Sequence, residues 1–361
     1  MATEGEGKDA PRGQGKRQEL ARLCHRAGLL PLLKGVRKLA RAEVRVLAYH
    51  RVLAIGDGAD FEFDPALVSA SPERFREQMA MVRRRFSPIS CADLIAALDE
   101  GREIPRDAVI VTFDDGYDDN YRIAFPILRE LGVPATFFVS TGHIDSGLPY
   151  AYDWLVHMIC VATAPTLDVA KVDMHVALPP TVRERHAVAA DLLDRMKWLD
   201  DADQSAIILG LQREWSMPRA RHPDCQPMTW AELREMQAGG MDIGSHGVHH
   251  RMLARLPKAE MAAEIRASQE ALTRELGPAP RTLSYPVGGP NAYNEDVIAS
   301  ARENGFRAAF NYISGSNALP VAAKRYALNR LPVEYETDIG WFAGIMTWPE
   351  LFSYPTRLRI G

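Results

Sequence analysis

The stretch Ala108-Val109-Ile110-Val111-Thr112-Phe113 runs directly into Asp114-Asp115-Gly116. Its β-favouring composition predicts a short strand. Polar residues gather where that strand ends, which is where parallel α/β sheets and barrels place their chemistry. Residues 119–130 read as a helix and 134–140 as the next strand. The order strand, loop, helix, strand over this distance suits a right-handed βαβ unit.

Working outward, a first strand fits 44–49, followed by a polar loop over 50–70. Ser71 and Pro72 then start a helix as cap and first helical residue, with Phe75, Met79, Val82 and Phe86 on its buried face. Ser90 with Asp93, and Thr229 with Glu232, are spaced as capping boxes for two more helices. Beyond 229 the alternation continues: helix 230–238, strand 241–244, helix 258–276, strand 282–285, helix 295–303, strand 307–310 and a last strand within 326–331. Between the two halves, 143–227 is too long for an ordinary βα connection and too apolar in places for disorder. It reads as a helical insertion, with helices at 152–161, 182–199 and 205–212, covering one side of the site. The expected fold is α/β: one barrel, or a curved parallel sheet, carrying an inserted helical subdomain.

Composition narrows the function classes. The chain has 361 residues, 47% hydrophobic and 25% charged, which supports a sizeable core. A net charge of -4 gives no general support for nucleic-acid binding. Cys24, Cys91, Cys160 and Cys225 are scattered and form no CxxC pair, so they read as reduced and structural. No apolar run reaches membrane-spanning length, and the amino terminus lacks the pattern of a secretion signal, so a cytoplasmic protein is expected. Residues 1–17 read as a flexible tail, 18–43 as a basic amphipathic segment, 44–335 as the catalytic domain and 336–361 as a C-terminal extension. The 18–43 segment has two readings: peripheral contact with an anionic membrane at the inner face, or docking on the main domain. Pro31 interrupts a single continuous helix there.

His246 and His250, four residues apart, can converge on one cation. Paired imidazoles suit zinc, nickel, cobalt or iron better than calcium or magnesium. Asp114 and Asp115 offer the carboxylate partner, one as ligand and its neighbour as a base. Taken singly, an Asp-Asp pair also fits a turn or a magnesium site, and the histidine spacing also arises by accident on a surface.

The strings around these residues resemble a known family. Residues Val111-Thr112-Phe113-Asp114-Asp115-Gly116-Tyr117 are similar to the first signature of the polysaccharide deacetylases, carbohydrate esterase family four. Gly244-Ser245-His246-Gly247-Val248-His249-His250 resembles the second, and Leu47–Val52 and Pro134–Val139 also look like family segments, in the right order. The resemblance implies a distorted (β/α) barrel, Asp114 as general base, and Asp115, His246 and His250 as ligands of one divalent ion, zinc first, with cobalt, nickel or iron as alternatives. It implies no ligand role for His249.

Ser284-Tyr285-Pro286-Val287-Gly288-Gly289 looks like the third signature, in a branch with Tyr-Pro at its centre. There the Val287 N–H is a candidate oxyanion donor, with Tyr285 beside substrate. Ser284 stands where an arginine is frequent, and Arg330 where many members carry a late histidine. Arginine is a poor proton donor at neutral pH. Arg330 therefore holds Asp114, binds a substrate oxygen, or makes a structural salt bridge. His50 is the candidate to donate a proton or position substrate, against an ordinary packing role. The implied reaction is N-deacetylation of an amino sugar, free, nucleotide-linked, in a glycolipid or in a glycan. The alternatives are hydrolysis of an O-acetyl ester or another amide, and an inactive carbohydrate-binding protein. Trp154, Trp198 and Trp215 in the insertion would pack either on sugar rings or in the core.

Overall fold

The structure is a computed structural model that describes residues 14–353. Among these, a nine-stranded sheet closes on itself through seven parallel strands. They are β1 Glu43–Tyr49, β2 Asp107–Phe113, β3 Ala135–Val139, β4 Asp242–Ser245, β5 Thr282–Ser284, β6 Ala308–Ser314 and β7 Leu328–Pro332. Each pairs with the next in chain order, and β7 pairs back to β1. Two short strands, Ser87–Pro88 and Asn317–Ala318, add to β2 and β1. The fold is a distorted (β/α) barrel with extra inserted helices, as expected.

Side chains alternate across the barrel wall because a strand repeats every two residues. Val109, Val111 and Phe113 of β2 pack outward with Phe75, Met79 and Val82 of helix Pro72–Arg85. Ala108 and Ile110 pack inward with Val44, Val46, Phe138 and Phe310. Helix Cys91–Glu100 joins this inner cluster through Cys91, Leu94 and Ile95, closing the strand-start end. At the other end the inward positions turn polar: Thr112, Ser284 and Arg330, with Asp114 just beyond β2. The local grammar holds: Ser71 and Asn294 cap their helices, and both capping boxes form.

Three details differ from the sequence reading. The segment read as helix 119–130 starts as a π-helical turn, Asn120–Ala124, before the α-helix Phe125–Leu131, because Pro126 cannot donate an amide to a regular turn. Within the insertion, helices Ala151–Val161, Val182–Met196 and Asp201–Glu214 surround a core of their own. The insertion also holds an unforeseen antiparallel pair, Thr166–Val169 with Met174–Ala177, turned by Asp173 in the left-handed region. Finally, a helix starts at Gln14, inside the stretch read as a tail; residues 1–13 and 354–361, including the rest of that tail and the end of the extension, lie outside the described residues.

The basic segment forms two helices, Gln14–Arg26 and Leu30–Ala40, broken at Gly28 (φ +67°), with Pro31 in the first turn of the second. They dock on the domain. Ala21 is buried against Gly344 of helix Ile339–Thr347, where a Cβ would lie 2.6 Å from Ala21. Arg37 grips Glu43 at the start of β1 through two 2.7 Å bonds.

Candidate metal and catalytic site

The predicted ligands and base sit together at the strand-end mouth of the barrel, because Asp114 and Asp115 follow β2 and His246 and His250 follow β4. Asp115 lies just past β2 at φ +76°, a conformation that turns its carboxylate back across the mouth. His246 follows β4, and His250 closes the same loop at φ +57°. The Asp115 Oδ1 is 3.4 Å from His246 Nε2 and 3.3 Å from His250 Nε2. One ligand atom from each of the three lies within 4.8 Å of the others, so they can hold a metal ion.

The donor set fits a divalent cation on two observations. Asp115 Oδ1 is buried with no hydrogen-bond partner, an expense a protein interior rarely carries without a ligand. His246 Nδ1 lies 2.8 Å from the Ser284 carbonyl, so that nitrogen carries the proton and Nε2 presents its lone pair inward. Burial pushes Asp115 up, but the neighbouring imidazoles of His246, His250 and His50 bring it well below the usual carboxylate range. His250 is pushed down to about 4, chiefly by burial, which keeps its imidazole neutral and able to ligate.

The loop carrying the histidines is held from behind. Glu264, buried on helix Lys258–Leu276, accepts from the backbone N–H of Val248 and His249 and meets the His249 ring at 3.1 Å. His249 is thus a support residue, with its ring largely exposed. Ser140 donates to the His246 carbonyl, and Gly142 N–H to that of Val248. A Cβ on Gly142 would meet the Val248 carbonyl at 2.8 Å, so only glycine allows that approach.

Beside the ligands stands Asp114, 2% exposed. Arg330, fully buried, grips it through both guanidinium nitrogens, at 2.8 Å to Oδ1 and 2.6 Å to Oδ2. The same guanidinium donates to the Asn311 carbonyl and to the Thr112 and Ser284 hydroxyls. The buried ion pair with Asp114 fits both the positioning and the structural reading of Arg330, and its full burial leaves no open surface for substrate. Ser284, at the position of the missing arginine, is part of the same network. Burial raises the Asp114 carboxyl, but Arg330 and His246 pull it below its ordinary value, so it stays ionised.

The remaining candidates divide. His50 is partly exposed, packs against Tyr312 and lies near Asp114, Asp115 and His250, which places it at the mouth. Val287 sits at φ +64° with its side chain half exposed, so its backbone, not its side chain, is what the loop positions. Tyr285 corrects the expectation of substrate contact. Its ring is fully buried and stacked on Tyr293, and its hydroxyl donates to the Tyr326 carbonyl. Trp154 is buried and Trp215 packs in the insertion's core, while Trp198 is exposed.

Two residues escaped the sequence reading. Tyr150 Oη donates to the Asp115 carbonyl at 3.0 Å, and His143 Nδ1 lies 3.3 Å from the same oxygen. Their ring centres lie 3.6 Å apart with the planes tilted by 36°, and burial pushes His143 down to about 3, holding it neutral. Their only sequence signal is position, close behind the end of β3.

Similarity to known proteins agrees with this geometry. The chain is 37% identical over 84 residues to the poly-β-1,6-N-acetyl-D-glucosamine N-deacetylase of Escherichia coli K12, covering 23% of this chain and 12% of that one. It therefore spans only a small part of that relative's length. Its fold resembles the Streptococcus pyogenes deacetylase PplD, in complex with acetate (TM-score 0.55, 17% identity, 87% of this chain and 100% of that one). It also resembles IcaB from Ammonifex degensii (TM-score 0.54, 18% identity, 85% and 97%). The polysaccharide deacetylase model matches residues 101–309, more than half of the chain. On that match, the chain belongs to the polysaccharide deacetylase family.

Proposed function

We propose that this protein removes an N-acetyl group from an amino sugar, releasing acetate. The observation that carries this is one carboxylate, Asp114, held ionised beside a separate Asp-His-His ligand set at the mouth of the barrel. A divalent cation on Asp115, His246 and His250, zinc in our reading and cobalt, nickel or iron as alternatives, would supply Lewis acidity toward water and the acetyl carbonyl. Asp114 takes the proton from the attacking water, and Arg330 fixes the plane of that carboxylate. The Val287 N–H donates to the carbonyl oxygen as it gains charge. His50 delivers a proton to the sugar nitrogen as the C–N bond breaks and acetate leaves. We read the Tyr285-Pro286 pair as the mark of a Tyr-Pro branch of the family.

The test is acetate release by metal-loaded protein from an N-acetylglucosamine oligomer, a nucleotide-linked N-acetyl sugar, a lipid-linked N-acetyl sugar and an O-acetylated sugar. Release from one or more N-acetyl substrates supports the proposal. Release from the O-acetyl sugar alone makes the enzyme an esterase, and release from none supports a binding protein.

Peripheral contact with an anionic, cytoplasmic membrane face is part of the same proposal. Among the described residues, no helix is long and apolar enough to cross a membrane. The two N-terminal helices nonetheless turn Leu20, Leu23, Leu29, Leu32, Val36 and Leu39 outward, Leu39 being 85% exposed. Leu32, Val36 and Leu39 repeat at helical spacing, and Lys38, Arg41 and Arg106 lie beside them. An apolar stripe edged with cations is the pattern of an interfacial helix. Co-sedimentation with anionic vesicles, lost in a Leu32→Ser/Leu39→Ser variant, would support it; equal recovery of both proteins would refute it.

A further inference from the structure

A second group of two histidines and a carboxylate lies where the insertion meets the barrel's first loop. Glu62 comes from the connection after β1, His157 from helix Ala151–Val161, and His222 from the return segment before β4. Glu62 Oε2 is 3.4 Å from His157 Nδ1 and 3.9 Å from His222 Nε2. One ligand atom from each of the three lies within 4.8 Å of the others. We propose that these residues form a second zinc-class metal site, which ties the insertion to the barrel.

Three observations carry it. His157 is 7% exposed, and its Nδ1 is buried with no hydrogen-bond partner, although it points at the Glu62 carboxylate and the His222 ring. A buried ring nitrogen without a partner is uncommon, and a cation supplies one. The walls are rigid: Phe63, itself buried, stacks on His157 at 4.9 Å and meets His222 edge-on at 4.9 Å, while Trp154 packs against the His157 ring. Glu62 and His222 are partly exposed, giving an ion a path in and room for water as a further ligand. Two imidazoles and one carboxylate favour zinc, cobalt or nickel over calcium or magnesium.

The one group that must move is on the return segment. His222 Nδ1 accepts the Asp224 N–H at 3.2 Å, which leaves the proton on Nε2. Ligation through Nε2 transfers that proton to Nδ1 and turns the Asp224 amide away. Since His222 and Cys225 close a short bridge here, the movement is confined to one turn.

The site shares no residue with the mouth, so the two are separable. Full-length protein stripped with chelator, reloaded with zinc and desalted is analysed for metal per chain, alongside Glu62→Gln, His157→Ala and His246→Ala. The wild type should hold two ions per chain. Glu62→Gln and His157→Ala should each hold one fewer, while His246→Ala keeps the second ion. Glu62 is partly exposed, so its substitution guards against a folding failure in the His157 variant. Zinc should also raise the melting temperature of His246→Ala, and not that of a Glu62→Gln/His246→Ala double variant. Equal metal content in wild type and Glu62→Gln, or a His246→Ala protein without metal, overturns the site. A failure of the deacetylase proposal would show instead as absent turnover with both ions in place.

Discussion

The barrel mouth and the insertion each gather two histidines and a carboxylate, but they do so by different means. At the mouth, every ligand follows a barrel strand, and hydrogen bonds between the loop backbone and Ser140, Gly142 and Glu264 fix the loop from behind. The ligand distances there are 3.4 and 3.3 Å. In the insertion the ligands come from a loop, a helix and a return segment, and the distances are 3.4 and 3.9 Å. What separates the two is the neighbour: Asp114, held by Arg330, stands beside the first cluster without belonging to it, whereas aromatic rings wall the second. A ligand set alone makes a place for an ion. A spare base beside it makes a place for a reaction.

The largest effect that would break this comparison is at the mouth itself. His246→Ala should lose the mouth ion and drop acetate release to background, measured by metal content and acetate assay; retained turnover would remove the mouth from the chemistry. Arg330→Lys comes next. A lysine cannot reproduce the two-pronged grip on Asp114, so turnover should fall by about 10- to 100-fold with the mouth ion retained. Tyr150→Phe should weaken zinc binding at the mouth by about 10-fold, because the Asp115 carbonyl loses one of its two side-chain contacts; competition with a chromogenic chelator measures this.

The smallest effect concerns the boundary between the two regions. Asp153, at the start of an insertion helix, accepts from Tyr117 Oη and faces the Cys225 thiol. Burial pushes its carboxyl up to about 7. A raised acid binds its proton more tightly in the folded state, so its contribution is full below the unfolded pKa near 3.8 and is lost as pH rises through 7. Asp153→Asn should therefore flatten the fall in stability between pH 4 and 7, read by denaturant melts; an unchanged slope would mean the carboxyl ionises normally.

Much of the barrel was legible because its signals are local. Ser71, Ser90 and Thr229 announce helix starts through side-chain chemistry, and helices at 230–238, 258–276 and 295–303 begin and end where the pattern places them. Asp114, Asp115, His246 and His250 were legible as two short strings, although only folding brings them together. The hairpin 166–177 was hidden because its strands are four residues each, too short for the Leu167/Val169 alternation to stand out. Tyr150, His143 and the Glu62–His157–His222 group were hidden for another reason. Their partners are backbone atoms or residues far along the chain, and no spacing records such a contact. Tyr285 shows the opposite error, a residue placed at the substrate by its string and buried by its stacking on Tyr293.

The most direct measurement is single-turnover acetate release by Asp114→Asn, matched to wild type for metal content, on an N-acetylated substrate the wild type cleaves. We expect the ion content to be unchanged and the rate to fall by about 10²- to 10⁴-fold, the usual contribution of a positioned base. A rate equal to that of the wild type would contradict the assignment of Asp114 as the base.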